Sequence, residues 1–202
     1  MKEKLLLHTC CAPCLSQCLM VLCGNEPYER VLEDKPDFDI LIFFDNPNIL
    51  SYEEYLKRKN EVIKFVDIFN NTYKLNISFF ADNYSDRRNE WYNITEKYSK
   101  EPEKGIRCHL CYEYRLLETF RIAERYKIKN VATTLTLSPL KNTLKINEIG
   151  SKLSKEFNIK YLKSDFKKNE GYKKSIEISK KYNLYRQNFC GCEWSIRKTQ
   201  SF

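Results

Sequence analysis

Three cysteine groups, set far apart along the chain, constrain the fold before anything else does. They are Cys10-Cys11-Ala12-Pro13-Cys14, Cys108-His109-Leu110-Cys111 and Cys190-Gly191-Cys192, and they hold seven of the nine cysteines in 202 residues. Thiols grouped in this way in separate segments read as soft-metal ligands that a fold gathers into one place. The architecture must therefore bring the three groups together. The ligand type points to zinc or to an iron–sulfur site, and makes redox chemistry a live reading.

The pattern of apolar residues supplies such an architecture. Residues 2–7 read as a short buried strand that runs straight into the first cysteine loop. A helix over 15–23 follows, with Gly24 as its stop. Residues 38–44 form a second buried strand, closed by the turn chemistry of Asp45-Asn46-Pro47-Asn48. Ser51-Tyr52-Glu53-Glu54 matches a capping box and opens a long helix toward Phe69. Residues 77–80 read as a third strand, and the polar, aromatic stretch 82–104 carries no predicted element. Cys108 and Cys111 fall at or inside the start of a helix continuing through Arg125. A fourth strand over 130–135, a break at Ser138-Pro139 and helices over 143–157 and 172–182 complete the reading. Strands alternating with helices predict an α/β fold: a mostly parallel sheet with helices on both faces, in one domain spanning 1–202. Sites in such sheets lie beyond the carboxyl ends of the strands, and Cys10, Cys11 and Asp45 all follow strands directly.

Composition sets the environment. Hydrophobic content of 42% with 31% charged residues describes a soluble globular protein. The longest apolar runs, 5–7 and 40–44, fall far short of the roughly 20 residues that cross a bilayer. No secretory signal opens the chain, so the expectation is a cytoplasmic protein without a membrane partner. In that reducing compartment a disulfide framework is disfavoured, which returns the cysteines to metal or redox duty. The formal charge of +8 favours an anionic partner such as nucleic acid, although a lysine-rich surface alone gives the same number. Arg87-Arg88, Lys167-Lys168, Lys173-Lys174 and Arg197-Lys198 are the candidate phosphate contacts.

The spacings within the groups differ in what they allow. Cys108 and Cys111 readily chelate one metal or cluster. Gly191 lets the backbone turn sharply enough to aim Cys190 and Cys192 the same way. Adjacent Cys10 and Cys11 face one metal only in a loop, which Pro13 restrains. A structural zinc takes four ligands and a four-iron cluster up to four cysteines. Seven clustered thiols exceed either, leaving some for a second metal, a disulfide or proton delivery. Cys18 and Cys23 lie on a predicted helix and read as core. Cys14 sits at the loop-to-helix junction and fits either role. His8 is a ligand, a general acid or a satisfied core residue, while a helix would turn His109 away from its cysteine neighbours. Trp91, Tyr92 and Tyr98 either stack on bases or fill the core.

Longer motifs go further. HTCCAPC (8–14), NPNI followed by EEYLKRK (46–49 and 53–59), EPEKGIRCHLCYEYRL (101–116), TTLTLSPLKN (133–142) and DFKKNEGYKKSIEISKKYNLYRQNFCGCEWS (165–195) stand in this order along the chain. In them the chain resembles the cobalamin-independent epoxyqueuosine reductases, the QueH family, over nearly its whole length. The resemblance implies a sheet related to the adenine nucleotide α-hydrolase-like (Rossmann-like) fold. It implies reduction of the epoxide of epoxyqueuosine, at the wobble position of the tRNA anticodon stem-loop, to queuosine, the last step of queuosine biosynthesis. It also implies a [4Fe-4S] cluster, a second, mononuclear iron and a low-potential electron donor. Carried over by motif, Cys10, Cys11, Cys108 and Cys111 are cluster ligands, with Cys190 and Cys192 as further metal ligands. Cys14, His8 and Asp45 are the candidates for catalysis. Asp45 stands where family members often carry an aromatic residue before NPNI, and it suits ligation of a hard iron, a bond to substrate hydroxyls or a turn cap. Two other classes compete: an iron–sulfur tRNA sulfurtransferase and a non-catalytic, zinc-stabilised RNA-binding module. The first calls for a Gly/Ser-rich phosphate loop after the first strand, and the loop here has no glycine.

Overall fold

A computed structural model describes residues 2–195. Arg197-Lys198 therefore lies outside the described residues. Five strands form one all-parallel sheet in the order β3-β2-β1-β4-β5. They are β1 (Glu3–His8), β2 (Phe38–Phe44), β3 (Ser78–Ala81), β4 (Asn130–Thr133) and β5 (Lys160–Tyr161). Six α-helices connect and follow them: α1 (Ala12–Leu22), α2 (Tyr52–Tyr73), α3 (Tyr84–Thr95), α4 (Ile106–Arg125), α5 (Thr143–Phe157) and α6 (Gly171–Lys181). The α/β architecture expected from the alternation, Rossmann-like as the resemblance implies, is the one observed.

Central β1 is apolar at consecutive positions because both faces of the sheet are covered. Leu5 and Leu7 point to one side, where Ile42 and Phe44 join Leu15 and Leu19 of α1 and Val62 and Phe65 of α2. Leu6 points to the other, with Phe43, Val131, Leu116 and Phe120 of α4 and Ile146 and Leu153 of α5. Strands wind outward in both directions from β1, so the strand order reverses between β1 and β4. His8 pairs with Phe43 on one side and Thr133 on the other, which brings the carboxyl ends of three strands level.

Several boundaries differ from the expected ones for identifiable reasons. The first helix starts three residues early, at Ala12, because extended Cys11 is its N-cap and Pro13 fits the first turn. It stops as expected: Gly24 takes φ +74, and the amides of Gly24 and Asn25 return to Val21 and Met20. Ser51 is the N-cap of α2, yet the reciprocal capping bonds are absent. Glu54 gives its carboxylate instead to Arg58 Nε at 2.7 Å and to the Tyr185 hydroxyl at 3.1 Å. Strand β4 ends at Thr133, where its hydroxyl accepts the Leu135 amide and starts a 3-10 turn. Helix α3 occupies the stretch without a predicted element. Among its twelve residues only Arg87, Trp91 and Thr95 are buried, too little for an apolar period to register.

Candidate metal centre

All seven cysteines of the three groups line one cavity of ≈360 Å³ at the carboxyl edge of the sheet. The first group leaves β1 and enters α1 within four residues. Cys11, extended at φ −171 and ψ 162, is where strand becomes helix, so neither strand alternation nor helical spacing separates its thiol from that of Cys10. The sulfurs of Cys10, Cys11 and Cys14 all lie within 4.8 Å of one another. Thr134, just past β4, accepts the Cys10 amide at 3.3 Å and fixes the loop across the switch point.

The second group is the first turn of α4. Arg107 holds that turn to the preceding loop by donating to the carbonyls of Ser99, at 2.7 Å, and Tyr98, at 3.4 Å. The third group is pinned by the loop after β2. Leu50 N–H donates to Gly191 O at 2.8 Å, and Arg58 Nη1 donates to Cys190 O at 2.9 Å. Gly191 takes φ +117, and a Cβ there would stand 2.9 Å from Ile49 Cγ1 and 3.0 Å from Arg58 Nη1. Only glycine fits between the two thiols.

Charge in the cavity is arranged around sulfur. Hydrogen bonds from Cys11 and Cys14 hold the Cys10 thiol well below its ordinary pKa. The same bonds, given up on ionisation, push Cys11 up to about 12 and raise Cys14 strongly. Three thiols this close ionise once with ease and then resist, a resistance that a bound cation removes. Lys141 lines the cavity; burial opposes its charge, but Cys190, Cys10, Tyr112 and Cys14 outweigh burial and hold its proton. Arg115 is buried on α4, donating Nε to Asp45 O at 3.2 Å and Nη2 to Asn46 Oδ1. Seven sulfur donors beside the buried Arg115 and the half-buried Lys141 suit a thiolate-held metal centre, and they exceed what one zinc takes.

The family described as Epoxyqueuosine reductase QueH matches residues 5–198. The chain is 37% identical to Epoxyqueuosine reductase QueH of Staphylococcus epidermidis over 197 residues, 98% of this chain and 78% of that protein. It is 36% identical to the Acinetobacter baylyi protein of that name over 198 residues, 98% of this chain and 82% of the relative. With the Thermotoga maritima protein of the same name it shares 30% identity over 191 residues, 95% and 89% of the two chains. The chain belongs to the QueH family.

Within this QueH chain the sequence-derived site residues separate into two sets. The cavity gathers Cys10, Cys11, Cys14, Cys108, Cys111, Cys190 and Cys192, while His8 and Asp45 do not line it. His8 is fully buried, and burial, with the Arg115 guanidinium nearby, pushes it down to about 3. Its neutral ring accepts the Thr133 hydroxyl at Nδ1, 2.8 Å away, and donates Nε2–H to Asp45 O at 3.1 Å. The Asp45 carboxylate is taken by Arg87, Nη2 at 2.8 Å and Nε at 3.3 Å. Burial nevertheless pushes Asp45 up to about 6. Cys18 is core, as its helical position implies.

The basic pairs also sort themselves. Arg87 is spent on Asp45, and Arg88 pairs with Glu193 at 2.8 Å while covering Trp91, so neither faces solvent as a phosphate contact. Lys174 pairs with Glu26, and Lys167 with Asp165 and Thr143, whereas Lys168 is exposed. Trp91 proves to be core against the cysteines. Sequence reading missed Arg58, Tyr112, Arg115 and Lys141, all of which line the cavity. A signal existed on α4: Cys108, Cys111, Tyr112 and Arg115 recur at helical spacings of three and four and share one face.

Proposed function

We propose that this chain reduces the epoxide of epoxyqueuosine in the anticodon stem-loop of tRNA to the alkene of queuosine, residues 1–202 acting as one catalytic domain in the cytoplasm. The observation that carries this reading is the convergence of seven thiols from three remote segments on one cavity, in a chain of the QueH family. Many free thiols also suit a reducing compartment. Among the described residues no helix is long and apolar enough to cross a membrane.

The conversion breaks both C–O bonds of the epoxide, forms a C=C bond, consumes two electrons and two protons, and releases water. A [4Fe-4S] cluster and a second iron, shared between the Cys10, Cys11 and Cys14 triad and Cys108, Cys111, Cys190 and Cys192, would supply the electrons from a low-potential donor, with Lewis acidity. The chain's own groups supply the protons. Tyr112 lines the cavity, and burial raises its phenol so that Oη keeps its proton until a stronger base forms beside it. Lys141 Nζ restores the proton and balances thiolate charge. His8, with both ring nitrogens engaged, ties β4 to the end of β2. At the cavity, Tyr172 is 40% exposed, with the Arg186 guanidinium 5.8 Å from its ring centre. An aromatic face beside a cation suits a splayed RNA base and its phosphate.

Anaerobic reconstitution tests the reading. Expected is a brown protein with four or more irons, loss of colour in Cys108→Ala, and conversion of epoxyqueuosine-containing tRNA under a strong reductant. A colourless protein that holds one zinc after reconstitution would overturn it in favour of the RNA-binding module.

A further inference from the structure

Trp91 is 1% exposed and packs on α3 with Cys111 and Cys192, lining the same cavity as the thiols. Its ring is held from two sides. Trp194, two residues past Cys192, stacks on it at 5.4 Å between ring centres, and the Arg88 guanidinium lies 4.8 Å from its centre. Fixed in this way, the indole Nε1–H is enclosed and has no hydrogen-bond partner, sulfur included, among the described residues. A buried, unpaired N–H is destabilising, a cost that a wholly apolar aromatic side chain would avoid. An indole retained there needs a partner, and the chemistry facing it is sulfur. Cys111, on the facing turn of α4, is buried in the same cluster as the indole. As a thiol Cys111 is a poor acceptor, and as a thiolate it is a good one.

We propose that the Trp91 indole N–H is the hydrogen-bond donor to the Cys111 sulfur in its thiolate, metal-bound form, which makes Trp91 a positioning residue that sets the electronic poise of the metal centre. The assignment rests on the reading of Cys111 as a metal ligand given above. A hydrogen bond to a ligand sulfur withdraws electron density and favours the more negative, reduced state, so it raises the reduction potential. The Trp194 and Arg88 contacts keep the N–H from turning away, and they tie the donor to the segment that carries Cys192.

Trp91→Phe keeps a stacking ring and removes the N–H together with the rest of the five-membered ring. In the full-length, iron-reconstituted protein the variant should hold wild-type iron and show a more negative midpoint potential, with a shifted sulfur-to-iron absorption band. In the metal-free full chain, the rate of Cys111 alkylation by iodoacetamide, read by peptide mass spectrometry, should reach its half-maximum at higher pH than in wild type. Unchanged potential and unchanged alkylation profile would overturn the proposal, as would a shifted alkylation profile with an unmoved potential. Should Trp91→Phe fail to fold or to take up iron, replacement of Trp91 by benzothienylalanine, which keeps the bicyclic shape without the N–H, gives the same two readouts. Should wild-type protein bind no iron, the functional reading fails on its own, and the alkylation profile still decides the N–H···S bond.

Discussion

Arg58 and Cys190 are 132 residues apart in sequence and joined by a 2.9 Å hydrogen bond from Nη1 to the main-chain carbonyl. The same guanidinium donates Nε to Glu54 at 2.7 Å, and its side chain is only 2% exposed. Helix α2 thus carries a buried cation whose geometry fixes where the third cysteine group lies. Arg58→Met removes the anchor and leaves Glu54 short of its partner. The expected cost is about 3 kcal/mol of folding stability, the usual loss when a buried pair is broken from one side. Urea denaturation measures that cost. Iron analysis after reconstitution should show metal lost in the variant even below its unfolding transition.

Gly191 offers a sharper test of the same loop. Its φ of +117 and the 2.9 Å approach to Ile49 Cγ1 leave no room for a methyl group. Gly191→Ala should cost about 2 kcal/mol through backbone strain and displacement of the NPNI loop. Far-UV circular dichroism should stay native, since the loop lies outside the sheet and its helices, while metal content falls. A variant with full metal content would show that Cys190 and Cys192 need no fixed orientation.

Cys14 and Cys18 lie one helical turn apart on α1 but meet different surroundings. The Cys14 sulfur stands within 4.8 Å of those of Cys10 and Cys11, whereas Cys18 packs in the core away from the cavity. Cys14→Ser keeps a donor of similar size but of the wrong softness, and it should lower iron uptake and abolish turnover. Cys18→Ala should bind iron normally and lose only about 1 kcal/mol of stability, as a small buried apolar group does when trimmed. Parallel iron counts on the two variants check both expectations.

How much of this was legible beforehand follows from what each residue's role depends on. Strand β2 and helix α5 were readable to the residue, because an apolar run and a helical period are local signals. The cysteine groups announced themselves through side-chain chemistry, and their convergence followed from the winding of the sheet. Helix α3 was not legible: it buries Arg87 against Asp45 and Tyr114, and Trp91 against Cys111 and Trp194, contacts that exist only in the assembled fold. Arg87 and Arg88 looked like surface charge for the same reason, since Asp45 and Glu193 reach them from elements 42 and 105 residues away. Asp45 and His8 sat at the right strand ends for chemistry, yet tertiary partners occupy both.

His8 illustrates the cost of such occupancy. Its ring bridges β4, through the Thr133 hydroxyl, and the end of β2, through Asp45 O. His8→Leu fills the space but leaves the Thr133 proton without its acceptor, a loss of about 2 kcal/mol for one buried polar group. Thermal or urea unfolding should register the change. Turnover per folded molecule should be unchanged, because Asp45 O still receives Arg115 Nε at 3.2 Å and the loop stays in place.

Tyr112 should behave in the opposite way. It is 3% exposed on α4, four residues after Cys108 and three before Arg115, and it lines the cavity beside Lys141. Burial raises its phenol, so across the neutral range it is a donor and not a base. Tyr112→Phe removes one hydroxyl from a packed ring and should leave stability and iron content close to wild type. If Oη protonates the departing epoxide oxygen, turnover with epoxyqueuosine-containing tRNA should fall about 100-fold, the low end of what a positioned general acid contributes. KM for the tRNA should stay constant, since the phenol acts on the breaking C–O bond and not on the anticodon. A fall in kcat alone would identify Tyr112 as the proton donor. An unchanged kcat would move the assignment to another proton-bearing group of the cavity, such as Lys141 Nζ or the Cys14 thiol.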